Sequence, residues 1–599
     1  MIYHCEDHTC NYWDEGEKLP ERCPQCGRKL LRANEADMTG DDWTALGNTL
    51  WDAEASDKKR MVDCFRKAAY LGSAWGVCNL GICMEQGNGV EADPVQAFWL
   101  YQQAVEMGSL NAVCCLGVCY QYGIGTAPDA KQAAELYCKA AEYGSPRGQM
   151  LLARAFHDGI GVEADAAEAV YWVRAAAYQR YGEGMHRLGV CYEYGDGVEQ
   201  NWEHAVHWFR EAAESGVSAA MTYLGYCYEK GCGVEQSWEQ AFSWYRRGAE
   251  CGYPVSMSNL GLCYKRGYGV DQNWQEAIKW YEQGAQCGDL QSMHNLACCY
   301  ERGEGVEQNE ERALYWYRRS AEGGNGVAMC NLGWCYQRGY GVEQNEDRAL
   351  YWYRRGAEAG SVYCMFYLGW NYSNGVGVKQ NMTEAIRWYT AAAEGGNADA
   401  MHDLGWHYDH GEGVEQDMKK AICWYERAAE QNHPAAMNSL GECYAMGRGV
   451  PRDLETAMEW YRRAAELGEA MADYNMGWHL EQAGKLSEAY AHYRKAADGN
   501  DDSAWWALGR FYENGVVVAQ DGKEARCCYE TGEKLGSVKC KMRLARCKLL
   551  GIGGRREKKA GLDLCRQALE LAKESSEKED YGYEAEMNLL RRTIAENES

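Results

Sequence analysis

Residues 331–360 read NLGWCYQRGYGVEQNEDRALYWYRRGAEAG, and this stretch decides the fold. With the residues just before it, Ala328, Met329, Leu332, Gly333, Tyr336 and Gly339 recur at helical spacing. That spacing predicts a first helix, A, over residues 326–338. Gly339-Tyr340-Gly341 ends it, because glycine adopts the left-handed backbone of a helix C-cap without steric cost. Asn345 then caps a second helix, B, which carries Ala349, Trp352, Tyr353 and Ala357 and stops at Gly360. Leu332, Tyr336, Trp352 and Tyr353 are expected to fill the space between the two helices, with Gly333 allowing close approach.

Outward from this unit, the Gly-x-Gly marker stands at Gly87, Gly123, Gly159, Gly195, Gly231, Gly267, Gly303, Gly339, Gly375, Gly411 and Gly447, always 36 residues apart. One unit has lost four residues around Gly484, the marker returns at Gly515, with Val517 in place of its second glycine, and at Gly551, and a unit with a shortened turn near Ala53 precedes the series. The N-cap phase holds Asp, Asn or Ser from Asp93 through Asn345 to Asp453. A period of this length is the signature of a solenoid, here about fourteen helix pairs from residue 39 to residue 574. A polar helix over 581–596 is expected to cover the last apolar face, as terminal units of solenoids require.

The unit resembles the Sel-1-like repeat (SLR), a relative of the tetratricopeptide repeat. Leu-Gly-x-x-Tyr, Gly-x-Gly-Val, Ala-x-x-Trp-Tyr and Ala-Ala-Glu carry the resemblance. It implies an all-α, right-handed α/α superhelical solenoid that serves as a scaffold or adaptor, and no shared catalytic residue set. The expected organisation is a small module over 1–36, the solenoid over 37–575 and a capping helix over 576–599.

Composition narrows the function. The 599 residues carry 62 Lys and Arg against 88 Asp and Glu, a net charge of −26, which disfavours a sequence-independent grip on nucleic acid. No run approaches a membrane span, and the first residues show no secretory pattern, so a cytoplasmic protein is expected. The 29 cysteines are then expected to be reduced. Cys83, Cys119, Cys191, Cys227, Cys263, Cys299, Cys335 and Cys443 share one helix-A phase and read as small core residues. Trp172, Trp208, Trp244, Trp280, Trp316, Trp352, Trp388, Trp424 and Trp460 share a helix-B phase and also read as core.

The first four cysteines differ. Cys5-x4-Cys10 and Cys23-Pro24-Gln25-Cys26-Gly27 supply two pairs of soft ligands suited to one tetrahedral zinc, and the pattern resembles a zinc ribbon. His8 is an alternative ligand to Cys10. A structural Zn, one per chain, would staple a module too short to build its own core.

Catalytic signals are missing: no GxxxxGK[ST], HExxH or GxSxG occurs. His402, His407 and His410 share a helix with Asp403 and Asp409 but are expected to diverge. The chain is therefore read as non-enzymatic, with a protein or peptide partner. The alternatives are an adaptor whose zinc module makes the specific contact and, behind it, a hydrolase such as the β-lactamases described among secreted members of the family.

At 100° per residue, the positions one before, two after and six after the helix-A leucine lie off the core face. They give Asn259, Asn295 and Asn331; Tyr226, Trp334, Trp370, Trp406 and Trp478; and Arg266, Arg302 and Arg338, with Phe366 and Tyr367 close by. By resemblance to tetratricopeptide proteins this face lines a concave groove. The asparagines would hold an extended backbone and the arginines would favour acidic groups.

Overall fold

A computed structural model describes residues 2–5, 13–15, 30–33, 35–51, 55–578 and 584–598. Among the described residues are 31 α-helices, thirty of them in consecutive packed pairs and one more at the end, with a small antiparallel sheet before them. The sheet has β1 (Ile2–Cys5) at its centre, between β2 (Trp13–Glu15) and β3 (Leu30–Ala33). The helices fall into two compact units, Met1–Asn309 and Glu310–Ser599.

The reference repeat forms as its sequence predicts. Helix A spans Gly326–Arg338 and helix B spans Glu346–Glu358. Gly339 takes φ 72° at the end of A, and the Asn345 side chain accepts from the Arg348 N–H at the start of B. The second turn glycine, Gly341, has a different task. A Cβ there would stand 2.8 Å from the Glu310 carbonyl oxygen, so the turn rests on the start of the preceding B helix. The same capping recurs at Asp93, Asn201, Asn273 and Asp453.

The core between A and B is a glycine facing an aromatic ring. A Cβ on Gly333 would lie 2.5 Å from Tyr353 Cε1; on Gly225 it would lie 2.6 Å from Tyr245 Cε1, and on Gly369 2.7 Å from Tyr389 Cδ1. The ring lies flat where a side chain would be, and it is the B-helix tyrosine, not the tryptophan before it, that is fully buried. This corrects the expected tryptophan core. Among the row from Trp172 to Trp460 only Trp352 is buried; the others stand half-buried at the rim. Arginines cover them: Arg247 lies 4.2 Å from the Trp244 ring centroid, Arg427 4.3 Å from Trp424 and Arg463 4.4 Å from Trp460.

The phenol hydroxyls turn back to helix A, five residues after its leucine. Tyr101 donates to Glu85 (2.6 Å), Tyr245 to Glu229 (2.8 Å), Tyr353 to Gln337 (2.9 Å) and Tyr529 to Glu513 (2.8 Å). These repeats thus satisfy the polar tip of their largest buried side chain, as burial of a hydroxyl requires, whereas the Tyr281 hydroxyl is buried without a partner.

Among the described residues there are fifteen A/B pairs against about fourteen expected, and the first, Gly40–Thr49 with Ala55–Tyr70, is the expected unit with the shortened turn near Ala53. At the far end the B helix runs to Lys578, past the boundary expected at 575. Glu584–Glu598 then covers it. Met587 and Leu590 join the core of the last repeat, and Glu586 pairs with Arg543 at 2.7 Å.

Gly333→Ala should cost about 1–3 kcal/mol in urea unfolding, the usual range for overpacking a core. Adding Tyr353→Val to that variant should recover part of the loss; an undiminished midpoint for Gly333→Ala alone would contradict the glycine–ring packing.

Candidate interaction surface

Helix A of one repeat touches helix A of the next within each unit, as Pro254–Arg266 does with Leu290–Arg302 and Gly326–Arg338 with Val362–Asn374. B helices reach neighbouring repeats chiefly through the A helices, so the A helices form the close-packed side. On Gly326–Arg338 the core phase is closed: Leu332, Gly333, Cys335 and Tyr336 are buried. Asn331 and Trp334 are half-buried and Arg338 is exposed.

In the first unit the face collects Tyr226, Asn259, Arg266, Asn295 and Arg302 on three successive A helices. Tyr226 is exposed with Lys230 Nζ 5.9 Å from its ring centroid. Arg266 and Arg302 are exposed, and Arg302 stands 3.9 Å from Glu304. Asn295 does more than line the face. It accepts from Gln291 (3.0 Å), and its amide donates to Ser258 of the preceding repeat (3.5 Å). Asn475 likewise donates to Asn438 at 3.0 Å. Part of the amide capacity of this row therefore ties one repeat to the next.

In the second unit the face is aromatic. Trp334 approaches Tyr340 (5.7 Å between ring centroids), Tyr367 stacks on Tyr353 (5.2 Å, 6° between planes) and Trp406 stacks on His410 (4.3 Å). Trp370 and Phe366 are half-buried against the core, and Trp478 is exposed. The histidines diverge. His407 is buried beside the Glu412 carbonyl (3.1 Å), His410 turns to the Trp406 carbonyl (2.9 Å), and His402 meets Asp403 (3.1 Å). Among the described residues no group of three or more His, Cys, Asp or Glu could hold a metal ion.

The proposed zinc ligands Cys10, Cys23 and Cys26, and His8, lie outside the described residues. Of Cys5 the backbone is described. Cys5 ends β1 opposite Leu30, the first residue of β3, and His4 pairs with Trp13, the first residue of β2. The segments 6–12 and 16–29, which carry the other ligands, thus enter β2 and β3 at the Cys5 end of the sheet.

The described cysteines are free thiols, and the helix-A row is buried as expected. Burial pushes the thiols up, Cys83, Cys191 and Cys443 to about 11 and Cys119, Cys227 and Cys263 to about 12. Sequence reading passed over Arg154, His157, Asp158, Arg187 and Asp196, which gather round one cleft. Its signal was a break in the aromatic B-helix row, at Val173.

A Sel1 repeat model matches fourteen consecutive segments, from 76–109 to 538–573. The chain belongs to the Sel1 repeat family. Among solved structures, a protective antigen of uropathogenic Escherichia coli strains with an SLR fold is 32% identical, over 75% of this chain and 97% of that one, with a TM-score of 0.48. A Sel1 repeat protein from Oxalobacter formigenes is 33% identical over 41% of this chain and 96% of its own, with a TM-score of 0.38. An immunity protein from Pseudomonas aeruginosa is 19% identical over 36% and 82%, with a TM-score of 0.29. No curated protein matches the chain. This Sel1 array contains no described helix long and apolar enough to cross a membrane.

The raised thiols fix a pH dependence. An unfolded cysteine ionises near 8.5. Above that value the unfolded chain releases protons that the folded chain still holds, so stability is complete below about pH 8.5 and is lost as pH rises toward 11–12. Melting temperatures recorded under reductant should fall between pH 8 and 9.5, before free phenols ionise, and a flat profile there would contradict the buried-thiol row.

Proposed function

We propose that the chain is a non-enzymatic protein-binding scaffold whose A-helix face takes an extended, acidic segment of a partner. One observation carries this reading. The A-helix face presents arginines free of the core, Arg266 and Arg302 in one unit and Arg338 in the other, in a chain whose net charge is −26. Local cationic groups on an acidic protein select acidic ligands through charge-assisted, often bidentate bonds. Trp334, Trp370 and Trp406, together with Tyr226 and Tyr367, add the large, stiff contact area on which binding energy concentrates. Asn259, Asn295 and Asn331 would offer amide groups to a backbone, insofar as they are not engaged between repeats.

The outer face serves as the control. Arg355 stacks over Trp352 at 5.3 Å and Arg354 donates to the Tyr372 hydroxyl at 3.4 Å. A triple Arg266→Glu, Arg302→Glu, Arg338→Glu variant should bind a fluorescent Glu-rich peptide about tenfold or more weaker than the parent, at unchanged helicity. Arg354→Glu with Arg355→Glu should leave binding in place. The opposite pattern would move the site to the B-helix side.

A second proposal concerns the first 36 residues, and the strand register favours it. Cys5 and the entry points of both ligand-bearing segments lie at one end of the sheet, as a Cys5, Cys10, Cys23, Cys26 zinc site needs. Zn would supply a structural staple there. Purified protein should carry about one zinc per chain. Cys23→Ser with Cys26→Ser should lose it while the array keeps its circular dichroism. Zinc retained in that variant would remove the assignment.

A further inference from the structure

One repeat departs from the packing rule at three linked positions. In the other repeats but the last, a small helix-A residue, glycine in all but Ala297, faces a B-helix Tyr or Phe ring, and in several of them the tyrosine hydroxyl reaches the residue five after the helix-A leucine. In the repeat built from Pro146–Asp158 and Ala166–Tyr178, the glycine is Ala153, the ring is Val173 and the hydroxyl's partner is His157. The last repeat also lacks the ring, with Ala545 and Cys565 at these positions, but there the added helix Glu584–Glu598 fills the space. Nothing fills it in the earlier repeat. A cleft of about 350 Å³ remains.

The lining of the cleft is what surrounds a core tyrosine in the other repeats. Its floor is Ala153, Val170, Val173 and Cys191, all buried. Cys191 holds the phase that Cys263 holds beside Tyr245. Its mouth is polar and closed into one network. His157 Nδ1 lies 2.7 Å from Asp158, and its Nε2 lies 3.2 Å from Asp196. Arg154 meets Asp158 at 3.4 Å, and Arg187 meets Asp196 at 3.6 Å. Both arginines are already neutralised, so the mouth is no anion site. It offers carboxylate oxygens above an apolar slot. That combination suits a flat ring with one O–H donor, since apolar walls with a few fixed polar groups define a small-ligand pocket.

We propose that this cleft binds a phenolic ring supplied from outside the chain, which takes the place of the missing core tyrosine and donates its hydroxyl to the Asp158–His157–Asp196 network. The same chemistry is offered by a free phenol and by the tyrosine side chain of a peptide. The cleft is independent of the partner-binding face proposed above, because neither its floor nor its network uses the residues assigned there.

Saturation-transfer NMR on the full chain tests it with three probes: p-cresol, N-acetyltyrosinamide and toluene. Saturable binding of p-cresol is expected, about tenfold tighter than toluene, which has no O–H to donate. Tighter binding of N-acetyltyrosinamide than of p-cresol identifies a peptide tyrosine as the source, and the reverse order identifies a free phenol. Ala153→Gly with Val173→Tyr rebuilds the ordinary pair inside the chain; it should abolish p-cresol binding and raise the melting temperature. Val173→Leu, a milder filling of the floor, should weaken binding in the same direction. No saturable binding of either phenol, toluene binding as tight as p-cresol, or p-cresol binding undiminished in both folded variants would overturn the proposal.

Discussion

The contact between a helix-A glycine and a B-helix ring governs this array. A Cβ on Gly333 would intrude on Tyr353, and the same holds from Gly81 and Tyr101 to Gly509 and Tyr529, with alanine in place of the glycine at Ala153 and Ala297. The missing side chain lets two helices close on a flat aromatic, which removes roughly 150–250 Å² from water in each repeat that has the ring. Other regularities follow from that choice. In several repeats the ring's hydroxyl finds an acceptor inside the pair, and a Glu or Gln stands where the ring ends. Small residues such as Ala349 and Ala357 then suffice beside it, because the ring already fills the volume.

Much of this was legible in the sequence because it is local. The period, the N-caps and the Gly-x-Gly turns are each fixed by a few neighbouring residues, and Gly339 and Asn345 behave as their types demand. The tryptophan row was misplaced for a geometric reason. Trp352 and Tyr353 are adjacent, 100° apart on the helix, and both border the apolar face. The spacing alone does not say which of them meets Gly333. The tyrosine does; Trp352 is buried beside it under Arg355, and in the other repeats of the row the tryptophan is left half-buried at the rim.

The interaction face was legible in outline and not in its bonds. Its phase follows from helical arithmetic, and Arg266, Arg302 and Arg338 are exposed as that arithmetic requires. That Asn295 would spend its amide on Ser258 could not be read, because the partner lies 37 residues away in the chain. Val173 was legible in principle. It breaks a row of rings, and averaging over repeats hides a single exception. In a repetitive molecule the specific chemistry sits where a unit fails to match its neighbours.

The second turn glycine has a mechanical side. Where Gly341 rests on the Glu310 backbone, one repeat is buttressed against the previous one by main chain, which neither changes rotamer nor depends on the side chains nearby. The unit shortened around Gly484 has a single turn glycine, and nothing approaches its Cβ position within 4 Å. That buttress against the preceding repeat is missing there. The deletion thus removes one rigid main-chain stop from the second unit, and the contact with the repeat before it rests on what the helices themselves pack together.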